Sequence, residues 1–131
     1  MRKPSTLILA TSVIVGAALG VPAALATTSD LQIALRAAPS FSTATGTAQY
    51  QAQPGQREFQ VELDHLKSLA GRSVLVRANG ANVGWAKISS TGIAELSRNT
   101  ELGQSVPKIV HGSTVSVVAG ASRTLVASGT F

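Results

Sequence analysis

This chain contains no cysteine, two histidines, one tryptophan, one tyrosine and three phenylalanines in 131 residues. Without cysteine it has no disulfide, no thiol nucleophile, no thiolate-bound zinc and no lipid attachment at an N-terminal cysteine. Two histidines, His65 and His111, fall short of the ligand set of a copper–zinc dismutase-like centre. Five aromatics provide neither a sugar subsite nor the paired girdles of an outer-membrane barrel. Acids number six against eleven Lys and Arg. No serine sits in a G-x-S-x-G elbow. What these absences leave is a domain held together by packing alone.

What is present begins at the N-terminus. Arg2 and Lys3 form a positive end, and Leu7 to Val21 is an apolar run rich in Ala, Val and Gly. Pro22 breaks the run, and Ala24-Leu25-Ala26 supplies the small-x-small pattern that signal peptidase needs. Residues 1–26 therefore read as a cleaved secretory signal peptide and residues 27–131 as one exported domain. Retention of the run as an N-terminal membrane anchor is the alternative, and Gly16, Gly20 and Pro22 argue against it. Loss of Arg2 and Lys3 lowers the formal net charge from +5 to +3. The remaining basic residues are scattered without interleaved aromatics, so nucleic acid is not an expected partner. No later segment is long and apolar enough to span a bilayer.

From residue 31 onward the apolar pattern has period two. Leu31, Ile33, Leu35 and Ala37 alternate with polar or small residues, as do Phe59, Val61 and Leu63. Pro54-Gly55, Asn79-Gly80, Thr91-Gly92, Gly112-Ser113 and Gly120-Ala121 supply turns. Leu63, Leu66 and Ala70 fall at helical spacing before Gly71, which predicts one helical turn. Turn signals every 8–12 residues predict seven or eight short antiparallel strands in an all-β, immunoglobulin-like sandwich. A two-residue turn at Asn79-Gly80 pairs even positions with odd ones, which places Trp85 inward beside Val74 and Val76. The expected core joins Tyr50, Phe59, Val61 and Leu63 to Val74, Val76 and Trp85 and to Val115, Val117 and Leu125. Phe131 is expected to close the last strand from inside.

Candidate chemistry is sparse. A metal site or a hydrolase would draw on His65 or His111 with Asp64 and Glu62, and no cofactor is expected. Glu62 and Asp64 lie two apart on one strand and so share a face, the minimum for glycoside hydrolysis. Each of these residues reads more simply as a surface turn or strand-end position. The polar face of Thr45, Thr47, Gln49 and Gln51 with Gln60, Glu62 and Asp64 is a flat hydrophilic surface suited to a sugar or a protein partner. Ser97 to Pro107 is the longest polar stretch and reads as a loop. Its residues Arg98, Asn99, Thr100, Glu101 and Gln104 are the stronger binding candidates, because loops on rigid β scaffolds carry function more often than sheets do.

The string Asn79-Gly80, Val83-Gly84, Gly92-Ile93-Ala94, Gly103, Val106-Pro107, Gly112-Ser113 and Ala127-Ser128-Gly129-Thr130-Phe131 resembles small exported bacterial β-domains with no assigned activity. The resemblance covers about residues 43–131 and speaks to fold, and it implies no catalytic residue. The expectation is a secreted, non-enzymatic domain that binds an extracellular or cell-envelope protein or glycan. The alternatives are a small hydrolase or metal-dependent enzyme built on His65 or His111, and a structural surface subunit that assembles edge to edge.

Overall fold

The computed structural model describes residues 29–131, so the signal-peptide reading of residues 1–26 lies outside the described residues. The described chain forms eight strands: β1 (Ser29–Ala37), β2 (Thr45–Gln53), β3 (Gln56–Asp64), β4 (Ser73–Ala78), β5 (Ala81–Lys87), β6 (Ala94–Asn99), β7 (Thr114–Ala119) and β8 (Thr124–Thr130). All neighbours are antiparallel, in the single order β5-β4-β7-β8-β1-β2-β3-β6. No helix among the described residues is long and apolar enough to cross a membrane.

The expected sandwich of two separate sheets is replaced by one sheet that curls until it nearly closes. The joint is β1. Its residues Ser29 to Leu35 pair with β2, and its last two, Arg36 and Ala37, pair with Ser128 and Ala127 of β8. One bent strand thus merges two four-stranded halves. Alternating inward and outward residues are common to sandwiches and barrels, so the sequence pattern does not separate the two. The bend rests on close packing. A side chain at Gly46 would meet Leu63 Cδ2 at 2.8 Å and Leu35 Cδ1 at 3.3 Å, and one at Gly129 would meet Ile33 Cδ1 at 2.9 Å. Leu35 therefore wedges between two glycines on the strands flanking β1.

The interior holds Tyr50, Phe59, Val61, Leu63, Val74, Val76, Val115 and Val117, all buried as expected. Phe131 is half-buried and packs on the same cluster. The ends are closed by residues outside the strands. Leu66, Leu69 and Ile88 close one end, with a 3₁₀ turn over Lys67–Leu69 where one helical turn was expected. Val106 and Ile109 close the other. Ile109-Val110 belongs to no strand.

Two expected core residues point outward, and each is displaced by a β-bulge. The Asn79-Gly80 turn does have two residues, with φ of 52° and 82°, and pairs Ala78 with Ala81. The register then shifts between Val76 and Arg77, so Gly84 faces Val76 and Trp85 faces Leu75. One extra residue on β5 moves Trp85 to the outer face, where it is 55% exposed. A second shift between Val117 and Val118 pairs Val118 with Leu125 and turns Leu125 outward, while Val126 and Ala127 take the interior.

Candidate functional site

The candidate binding loop is more ordered and more occupied than the sequence suggests. Ser97, Arg98 and Asn99 extend β6 along β3, with Arg98 beside Phe59 and Asn99 beside Glu58. The loop proper starts with a 3₁₀ turn over Thr100–Leu102. Asn99 caps it, its Oδ1 accepting from the Glu101 N–H at 2.9 Å. Gln104 Oε1 accepts from the Asn99 N–H at 2.9 Å. Thr100 Oγ1 accepts from the Arg57 N–H at 2.9 Å and donates to the Arg57 carbonyl at 3.4 Å. Asn99, Thr100 and Gln104 thus use their side chains to fasten the barrel end. Glu101 is exposed.

Arg98 lies on the inward-facing register of β6 and crosses to the opposite sheet edge. Strands β5 and β6 approach each other at the seam without a ladder. An added side chain at Gly84 would collide with the Arg98 guanidinium and meet Leu96 Cδ1 at 3.3 Å. Gly84 is therefore the notch that receives Arg98.

The two histidines sit at opposite ends of the barrel. His65 follows the upper end of β3 with φ 63°; its backbone N–H donates to Asp64 Oδ1 at 2.6 Å, and its Nδ1 lies 3.2 Å from Thr45 Oγ1. His111 belongs to the turn before the lower end of β7, where the Gly112 N–H donates to the Phe131 carbonyl at 2.8 Å. That turn is pinned by the Asn79 side chain, which accepts from the Thr114 N–H at 3.0 Å, and by buried Ser113, whose Oγ accepts from the Val110 N–H at 3.0 Å. A strand's length separates the rings, so one ion cannot bind both. Glu62 lies exposed on the outer face of β3, opposite Glu95 of β6. Among the described residues, no group of three His, Asp or Glu converges on a point that could hold a metal.

The outer surface divides into two unlike halves. Cross-strand register on β1, β2, β3 and β6 builds a polar grid: Asp30, Gln51, Glu58 and Asn99 form one row, and Gln32, Gln49, Gln60 and Ser97 the next. Gln49, Gln51, Glu58 and Gln60 line a shallow dimple there. All six acids of the sequence, Asp30, Glu58, Glu62, Asp64, Glu95 and Glu101, belong to this half.

The other half, β5, β4, β7 and β8, has no acid in its strands or turns. Its register aligns Trp85, Leu75, Val118 and Leu125 in one outward-facing row across four strands. Within the row Leu75 and Val118 are buried, whereas Trp85 and Leu125 at its two ends are 55% and 40% exposed. Sequence reasoning missed this row. Its signal was lost alternation: Val74-Leu75-Val76, Val117-Val118 and Leu125-Val126-Ala127 are continuous apolar runs, the mark of strands apolar on both faces. No protein-family profile, no curated protein and no solved structure matches this chain.

Proposed function

We propose that this chain is an exported, non-enzymatic domain that acts by binding a cell-envelope or extracellular partner. The observation that carries the reading is the division of its outer surface into a polar, acid-bearing half and an acid-free half on which Trp85 and Leu125 stand exposed. The leader-like pattern of residues 1–26 supports export, with residues 27–131 as the working domain. Among the described residues, side chains close both barrel ends, so the outer faces are the surfaces offered for binding.

The enzyme alternative asks His65 or His111 to act with nearby acids, yet the two rings are separated by a strand's length. Among the described residues, His65 has Thr45 and Asp64 at hydrogen-bonding distance. The edge-to-edge assembly alternative asks for an open strand edge. The two terminal strands of the sheet, β5 and β6, instead face each other, with Arg98 lying over Gly84 between them.

The test is retention of labelled domain on the envelope fraction of its native culture. Saturable retention, unchanged in His65→Ala and His111→Ala, is the expected result. Non-saturable retention, together with turnover in a hydrolase substrate panel that either histidine substitution abolishes, would replace this reading with the enzyme one.

A further inference from the structure

We infer that the acid-free half docks on an anionic lipid surface, with Trp85 and Leu125 entering the interface and Arg72, Lys87 and Arg123 meeting the headgroups. The inference rests on the binding-domain reading above and names the partner class.

Trp85, Leu75, Val118 and Leu125 span four adjacent strands, roughly 14 Å at ordinary strand spacing. The row lies near the upper end of the barrel. Immediately above it, Lys87 stands opposite Ser73 on the same outer face, Arg72 precedes Ser73, and Arg123 precedes Thr124. All three cations are exposed. Arg77 and Arg36 lie on the outer face below and beside the row. No acid interrupts this surface, because every acid of the chain is on the other half.

Chemistry then selects the occupant. Indole is at home where one end of a side chain is apolar and the other wet, and cations beside it gain from an anionic leaflet. The centre of the row offers no patterned donors or acceptors with which to specify a glycan. Trp85 and Leu125 together expose roughly 200 Å² of apolar surface, far below the roughly 800 Å² per partner of a stable protein dimer. A fluid anionic interface requires neither stereospecific contacts nor a large complementary area.

Trp85 is the only tryptophan, so its emission reports the face directly. The experiment titrates residues 27–131, which hold all eight strands and the core between them, with vesicles of phosphatidylglycerol in phosphatidylcholine, and with phosphatidylcholine alone. The expected result is a blue shift on anionic vesicles only, weakened by salt. Affinity falls several-fold in Leu125→Ser, and by roughly thirty-fold or more in the double variant Lys87→Glu/Arg123→Glu, at about 1 kcal/mol for each of the two cations removed and further repulsion from the two acids introduced. Thermal melts of both variants confirm that they fold. An absent shift, an equal shift on neutral vesicles, or unchanged affinity in the charge variant overturns the inference. Binding of a soluble polyanion without a blue shift overturns it equally, because the cations then serve a polymer. Envelope retention measured on the same samples separates the two claims. If it persists while vesicle binding fails, the lipid inference falls and the binding-domain reading stands; if both fail, both fall.

Discussion

The guanidinium of Arg98 occupies the space that a side chain at Gly84 would need, across a seam where β5 and β6 meet without a ladder. The contact fastens the last gap in the sheet with a side chain in place of backbone hydrogen bonds. Gly84→Ala is expected to cost about 1–3 kcal/mol by overpacking. Combining it with Arg98→Ala should cost less than the two single changes summed, since each relieves the other. Urea unfolding of the four species measures the coupling, and strict additivity would show that the two residues do not share the space.

Trp85 and Phe59 are both large and aromatic, but only Phe59 is fully buried. Phe59→Ala is expected to cost about 3–5 kcal/mol, the range for a large core truncation. Trp85→Ala should cost less than half as much. Equal losses by denaturant titration would place Trp85 inside after all.

Asn99 illustrates why the polar loop resisted a reading from sequence. Its composition marks a surface segment correctly, but composition does not say that Asn99 Oδ1, Thr100 Oγ1 and Gln104 Oε1 are committed to backbone N–H groups. Asn99→Ala should lower stability by about 1 kcal/mol through loss of the cap. Envelope retention should be unchanged at a temperature well below the melt. A loss of retention without loss of stability would return the loop to the binding surface.

Phe131 combines a half-buried ring with two backbone bonds, its N–H to the Ser113 carbonyl and its carbonyl to the Gly112 N–H. Deleting it is expected to cost about 2–4 kcal/mol. A truncated domain melting within a degree or two of the parent would contradict this.

Strand positions, most turns and the inward set from Tyr50 to Val117 were legible because alternation and turn chemistry are local. The single curled sheet was not. It depends on β1 changing partner at Arg36, a long-range pairing that leaves no mark in the local pattern. Trp85 and Leu125 depart from the simple alternation for one shared reason: Trp85 lies just after a bulge and Leu125 just before one, and a single inserted residue reverses the side chains on one side of it relative to the other. The docking face assembled from those residues was therefore hidden until the register was known.

A photo-cross-linking phenylalanine analogue placed at position 125, on the acid-free half, or at position 60, on the polar grid, and irradiated on native envelopes, tests directly which half binds. Saturable cross-links are expected from position 125, with lipid among the products, and none above background from position 60. Cross-links from position 60 in preference to 125 would contradict this and move the interface to the opposite half of the barrel.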